Sequence, residues 1–134
     1  MNKTEDIKAI LKIDENEYRH GVAGAYVDFK TMKKLHAADL LEMEYSRKDG
    51  PKIREFYDFM EKHKDKKISV RLAVMEPKRE DFRIYIQVLS IDPEYAKLKT
   101  EEDMEFWREF MVFGTKGNAC MAENVNSVSW CWYN

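Results

Sequence analysis

Glycine is scarce in this chain, with five residues in 134. Cysteine is scarcer still: Cys120 and Cys131 are the only two. Two thiols cannot staple a small secreted scaffold, so the expected compartment is reducing and cytoplasmic. The opening residues MNKTEDIKAI lack the apolar run of a secretory signal. No stretch approaches the ~18 consecutive apolar residues that a membrane span needs, so no membrane partner is expected. Neither sign of charge prevails: 23 Lys and Arg stand against 25 Asp and Glu, a formal net charge of −2. That excludes a whole-surface field suited to duplex DNA or to an acidic mimic of it, while a local patch stays open. Repeats, low-complexity tracts and Pro- or Ser-rich linkers are absent.

The catalytic signatures are missing too. There is no G-x-x-x-x-G-K-S/T loop, no dinucleotide fingerprint, no G-x-S-x-G elbow and no Cys-His signature. The soft metal ligands are Cys120, Cys131, His20, His36 and His63, without C-x-x-C or H-x-x-x-H spacing. Glu76-Pro77-Lys78, with Asp58 or Asp65 upstream, faintly resembles the Asp…Glu-x-Lys set of metal-dependent nucleases. Pro77 would break the strand such a site requires, and a polar surface loop accounts for the stretch better.

What is present is a core. Apolar residues make up 44% and aromatics 13% of the chain, enough for one globular domain over residues 1–134. Ile53, Phe56, Tyr57 and Met60 recur at i, i+3, i+4 and i+7 after the Asp49-Gly50-Pro51 break, predicting an amphipathic helix closed by KHKDKK. Val70, Leu72 and Val74, then Phe82, Ile84, Ile86 and Val88, predict a hairpin with its even-numbered residues on the core side. A second helix is predicted over Glu101–Phe113, capped by Thr100 and stopped by Gly114 with positive φ. Val128, Trp130 and Trp132 predict a last strand; Leu41, Met43 and Tyr45 alternate like another. Thr31 is placed to cap a helix carrying Met32 and Leu35, and residues 4–13 fit helix and strand equally. Without regular β-α alternation, the class is α+β: a mostly antiparallel sheet packed on one face by two or three amphipathic helices.

The other sheet face then carries Arg71, Arg83, Tyr85 and Gln87. Guanidinium groups beside a phenol suit a phosphate and a stacked base, although an antiparallel sheet also exposes such residues to water without any ligand. Gly21-Val22-Ala23-Gly24 and Gly114-Thr115-Lys116-Gly117 take four of the five glycines. Either pair is a turn, or it bares backbone to an anion that Lys116 or Arg19-His20 would neutralise. Tyr133 is the exposed aromatic of the last strand and a candidate interface residue. KHKDKK with Lys78 and Arg79 reads as a solvated helix end or as a basic edge for single-stranded nucleic acid.

These features lead to a non-catalytic, cofactor-free binding protein that senses or sequesters a phosphate-bearing small molecule or nucleotide. Arg71, Arg83, Tyr85, Arg19, Gly21 and Gly24 are the expected ligand residues. The alternatives are a protein-interaction module or inhibitor docking through an aromatic surface, and a metal-dependent nuclease-like enzyme. A homo-oligomer interface is one use for surplus apolar surface.

Overall fold

A computed structural model describes residues 3–12, 22–47 and 49–132. Among the described residues, five strands form one antiparallel sheet, and four α-helices supply the rest of the core. The first helix, α1, spans Lys3–Leu11 and buries Ile7 and Leu11, one turn apart. The alternation of Ile7, Ala9 and Leu11 is thus incidental. Strand β1 (Val22–Val27) leads through Asp28 into α2 (Phe29–Ala37). The cap of α2 is Asp28, whose carboxylate accepts the Thr31 N–H at 3.0 Å, so the helix begins earlier than a Thr31 cap would set it.

Residues 40–47 form no strand. Leu40, Leu41 and Met43 are all buried, which a two-residue alternation cannot deliver. The Tyr45 and Met43 carbonyls accept the Ile53 and Arg54 N–H groups, so this segment satisfies the start of α3 (Ile53–Lys62) rather than a sheet ladder. Pro51 lies before the cap residue Lys52 rather than in the first turn. Along α3, Ile53, Phe56, Phe59 and Met60 are buried and Tyr57 is half-buried.

Strands β2 (Ile68–Met75) and β3 (Arg83–Ile91) form the hairpin at the centre of the sheet. A 3₁₀ turn over Pro93–Lys97 and α4 (Glu101–Phe113) follow. Strands β4 (Cys120–Glu123) and β5 (Val128–Cys131) close the chain as a second hairpin, of which the sequence announces only β5. The strand order is β1-β2-β3-β5-β4. Cys120 and Cys131 are free thiols on directly opposite residues of β4 and β5, a juxtaposition their separation in sequence hides.

The β2–β3 register breaks once. Leu72 pairs with Ile86, but Arg71 pairs with Val88, so Gln87 is an extra residue on β3. Ile84 and Ile86 face the helices as expected. Beyond the bulge the parity reverses: Leu89 and Ile91 join the core, while Val88 turns to the opposite face beside Cys131. All four helices contribute to one cluster with Val27, Val70, Leu72, Val74 and Trp132. That leaves the second sheet face without a helix among the described residues.

Gly114 departs from expectation. Its φ of −69° is ordinary helical backbone. It is glycine because the Trp130 indole occupies the space where a Cβ would stand. Among the described residues, Gly117, with φ +67°, is the glycine held in the left-handed region.

Candidate functional site

The helix-free face holds most of the residues singled out in the sequence, and it arranges them unequally. Arg71 on β2 is half-buried and donates through Nη1 to Gln87 Oε1. Its guanidinium occupies the space beside Gly24 of β1, where an added Cβ would stand 2.7 Å from Arg71 Cζ. Gly24 is therefore a saddle inside a continuous strand, paired with Ala73, and neither a turn nor a break. No Asp or Glu lies within ion-pair distance of Arg71 among the described residues. A half-buried guanidinium whose hydrogen-bond partner is a neutral amide oxygen is costly to keep.

Tyr85 shares the face but not the availability. The Arg47 guanidinium covers its ring at 4.3 Å, and its hydroxyl donates to Met75 Sδ at 3.5 Å. Arg83 is exposed and paired with Met75, four residues along β2 from Arg71, or about 13 Å away. The two arginines therefore stand at well-separated backbone positions along the face. Tyr26, directly opposite Arg71 on β1, is the accessible aromatic: 62% of it is exposed. Nothing in the sequence separated Tyr26 from core tyrosines, because β1 had no register before its partner strand was known. Arg19, Gly21 and Tyr133 lie outside the described residues.

A cleft of about 700 Å³ opens at one end of the sheet, where β1 runs into α2 and α3 runs into β2. Ligand pockets fall in this size range. Lys30 and Lys33 enter from α2, and Lys64, Lys66 and Lys67 from the turn after α3. Phe29, Met60, Ile68 and Ile91 supply apolar lining, and Ser69, Ser90, Asn126 and Ser127 supply polar groups.

Five lysines thus face two aspartates. Asp28 is occupied in capping α2, and the Thr31 N–H holds its carboxyl below the usual range. Asp92 accepts the Glu94 N–H at 2.9 Å and stands 3.9 Å from Lys67. Burial pushes the Lys66 ammonium down, but its ion pair with Glu102 at 3.0 Å outweighs that and holds it above its usual value. Lys30, Lys33 and Lys64 are exposed and form no ion pair among the described residues.

His63 lies at the back of the cleft, buried against Phe59 and Phe106. Its Nε2 is 2.6 Å from Glu109 Oε2 on α4. Burial pulls the imidazole below its ordinary value, and the opposing pull of Glu109 does not restore it. The basic run KHKDKK is therefore more than a solvated helix end: it forms one wall of a cavity. What the sequence could not supply was the opposite wall, the first turns of α2.

Glu76, with φ +54°, opens the loop after β2, and no group of three or more His, Cys, Asp or Glu side chains comes together among the described residues. No described helix is long and apolar enough to cross a membrane. Comparison with known protein families, with curated proteins and with solved structures finds no match.

Proposed function

We propose that this protein binds a phosphate-bearing small molecule or nucleotide in the cleft at the end of the sheet. The observation that carries the reading is the set Lys30, Lys33 and Lys64, three ammonium groups without carboxylate ion-pair partners among the described residues, around a cavity of ligand size. Ammonium groups are point charges on flexible stems and suit a phosphate whose position varies. The apolar floor of Phe29, Met60 and Ile68 accommodates the less polar part of such a ligand.

Calorimetric titration with inorganic pyrophosphate and with a nucleoside monophosphate tests this. Lys33→Ala and Lys64→Ala should each weaken binding by about three- to tenfold, and added salt should weaken it further. Lys97→Ala removes a lysine already paired with Glu94 outside the cleft and should change nothing. Equal effects from all three variants would show a diffuse charge effect and remove the cleft as the site.

A further inference from the structure

We infer that the ligand class is a single-stranded nucleic acid, running from the lysine cleft onto the helix-free face of the sheet. This rests on the cleft reading and extends it, because cleft and face are continuous. Ser69 and Ser90 line the cleft and are directly opposite each other on β2 and β3. Their neighbours Val70 and Leu89 point into the core, so both serines belong to the helix-free face. The next residue of β2 on that face is Arg71, and directly across from Arg71 on β1 is Tyr26. Ser90 is buried with its hydroxyl bonded to Ser129 Oγ at 2.7 Å, so the path from Lys30, Lys33 and Lys64 runs over half-buried Ser69 to a guanidinium and an exposed phenol ring.

Each stage suits a different part of a polynucleotide. The lysines neutralise phosphates, and the half-buried Ser69 hydroxyl donates to a phosphate or sugar oxygen. Arg71 is held in place by Gln87 and by the bare backbone of Gly24, with no carboxylate within ion-pair distance among the described residues. Tyr26 offers a free ring face on which a base can stack, an interaction that tolerates any base. A duplex fits poorly: its bases are already stacked, and a stiff rod does not turn from an end cleft onto a sheet face. The net charge of −2 is no obstacle, since the positive groups are gathered along the path.

The test uses fluorescence anisotropy with labelled oligothymidylate and oligouridylate of about ten nucleotides. Unlabelled mononucleotide and polyglutamate serve as competitors. The oligonucleotides should bind at least about tenfold more tightly than the mononucleotide, and Tyr26→Ala should cost about fivefold or more on them while leaving the mononucleotide unaffected. Tyr26→Phe, which keeps the ring, should restore wild-type affinity; matched thermal melts show that neither change unfolds the chain. The DNA and RNA arms decide between the two sources of the same chemistry.

Failures of the two readings are separable. If the mononucleotide binds through Lys33 and Lys64 but the oligonucleotides bind no better, or Tyr26→Ala has no effect, the track is wrong and the cleft reading survives. Polyglutamate competing as well as an oligonucleotide of equal charge would likewise overturn the track, since acidic polymers offer no base to stack. No binding of any nucleotide overturns both.

Discussion

The Trp130 indole lies on the bare Cα of Gly114, and its Nε1 donates to the Phe110 carbonyl at 2.9 Å. Helix α4 thereby ends against β5 through a contact only glycine permits. The backbone of Gly114 is ordinary, so Gly114→Ala carries no conformational strain; its cost is steric. The indole is fixed by its hydrogen bond and cannot move aside, so a loss of about 1–3 kcal/mol or more is expected in chemical denaturation. A variant as stable as wild type would show that the indole is not seated there.

Phe56 is 2% exposed and packs edge-on to Phe113 and Trp132, joining α3, α4 and the end of β5. Phe56→Ala should cost about 3–5 kcal/mol, read from the denaturant midpoint at unchanged slope. A cost below about 1 kcal/mol would contradict the packing, because such a cavity cannot close without moving two other rings.

Gly24→Ala should behave differently from Gly114→Ala. The group it displaces is the far end of a flexible side chain, so stability should stay within about 1 kcal/mol of wild type. Arg71 would leave its seat and its bond to Gln87. Oligothymidylate affinity should fall, while mononucleotide affinity in the cleft should not. Parallel melts and titrations check both halves, and unchanged oligonucleotide affinity would detach Arg71 from binding.

His63 should make folding sensitive to mild acid. Its imidazole titrates lower in the folded chain than in the unfolded one, where the ordinary value is about 6.5. Below that value the unfolded state takes up the proton first, so stability falls as pH drops from about 6.5 toward the lower folded value. Lys62 and Lys66 add repulsion to a protonated ring, and Glu109 is the group that moderates it. His63→Gln should flatten the stability profile between pH 7 and about 5.5. A profile equally steep in wild type and variant would assign the dependence to other groups.

Much of the core was legible because it follows from period alone. Ile53, Phe56 and Met60 on α3, the apolar positions of β2, and Val128, Trp130 and Trp132 all fall on the side their spacing requires. Thr100 also caps α4 as its position promised, with Asp103 N–H donating to its hydroxyl at 3.0 Å. Periodicity failed where the backbone leaves the regular path. Val88 was assigned to the core because a bulge has no signature in an apolar run such as IQVLSI. Leu41, Met43 and Tyr45 alternate, yet their backbone groups serve a helix end.

The site was less legible, for a physical reason: its parts come from different elements. Arg71 and Gly24 were each suspected, but that one rests on the other depends on the β1–β2 register. Tyr85 and Tyr26 look alike in sequence, and only the path of Arg47 makes one covered and the other free. The lysines of α2 and those after α3 are some thirty positions apart, and no local pattern announces that they share a cleft.

Strand β3 contains one residue more than its ladder uses. Removing Gln87 would leave Ile84, Ile86, Leu89 and Ile91 on the core side with unbroken alternation, and Arg71 would still face Val88. The core side chains of β3 would keep their facing. The losses would be the acceptor of Arg71 and the carbonyl that receives the Trp132 N–H at 2.8 Å. Gln87 is thus an insertion that folding tolerates and the open face employs. A chain shortened at this one position should keep the fold of its parent and part with the anchoring of its guanidinium.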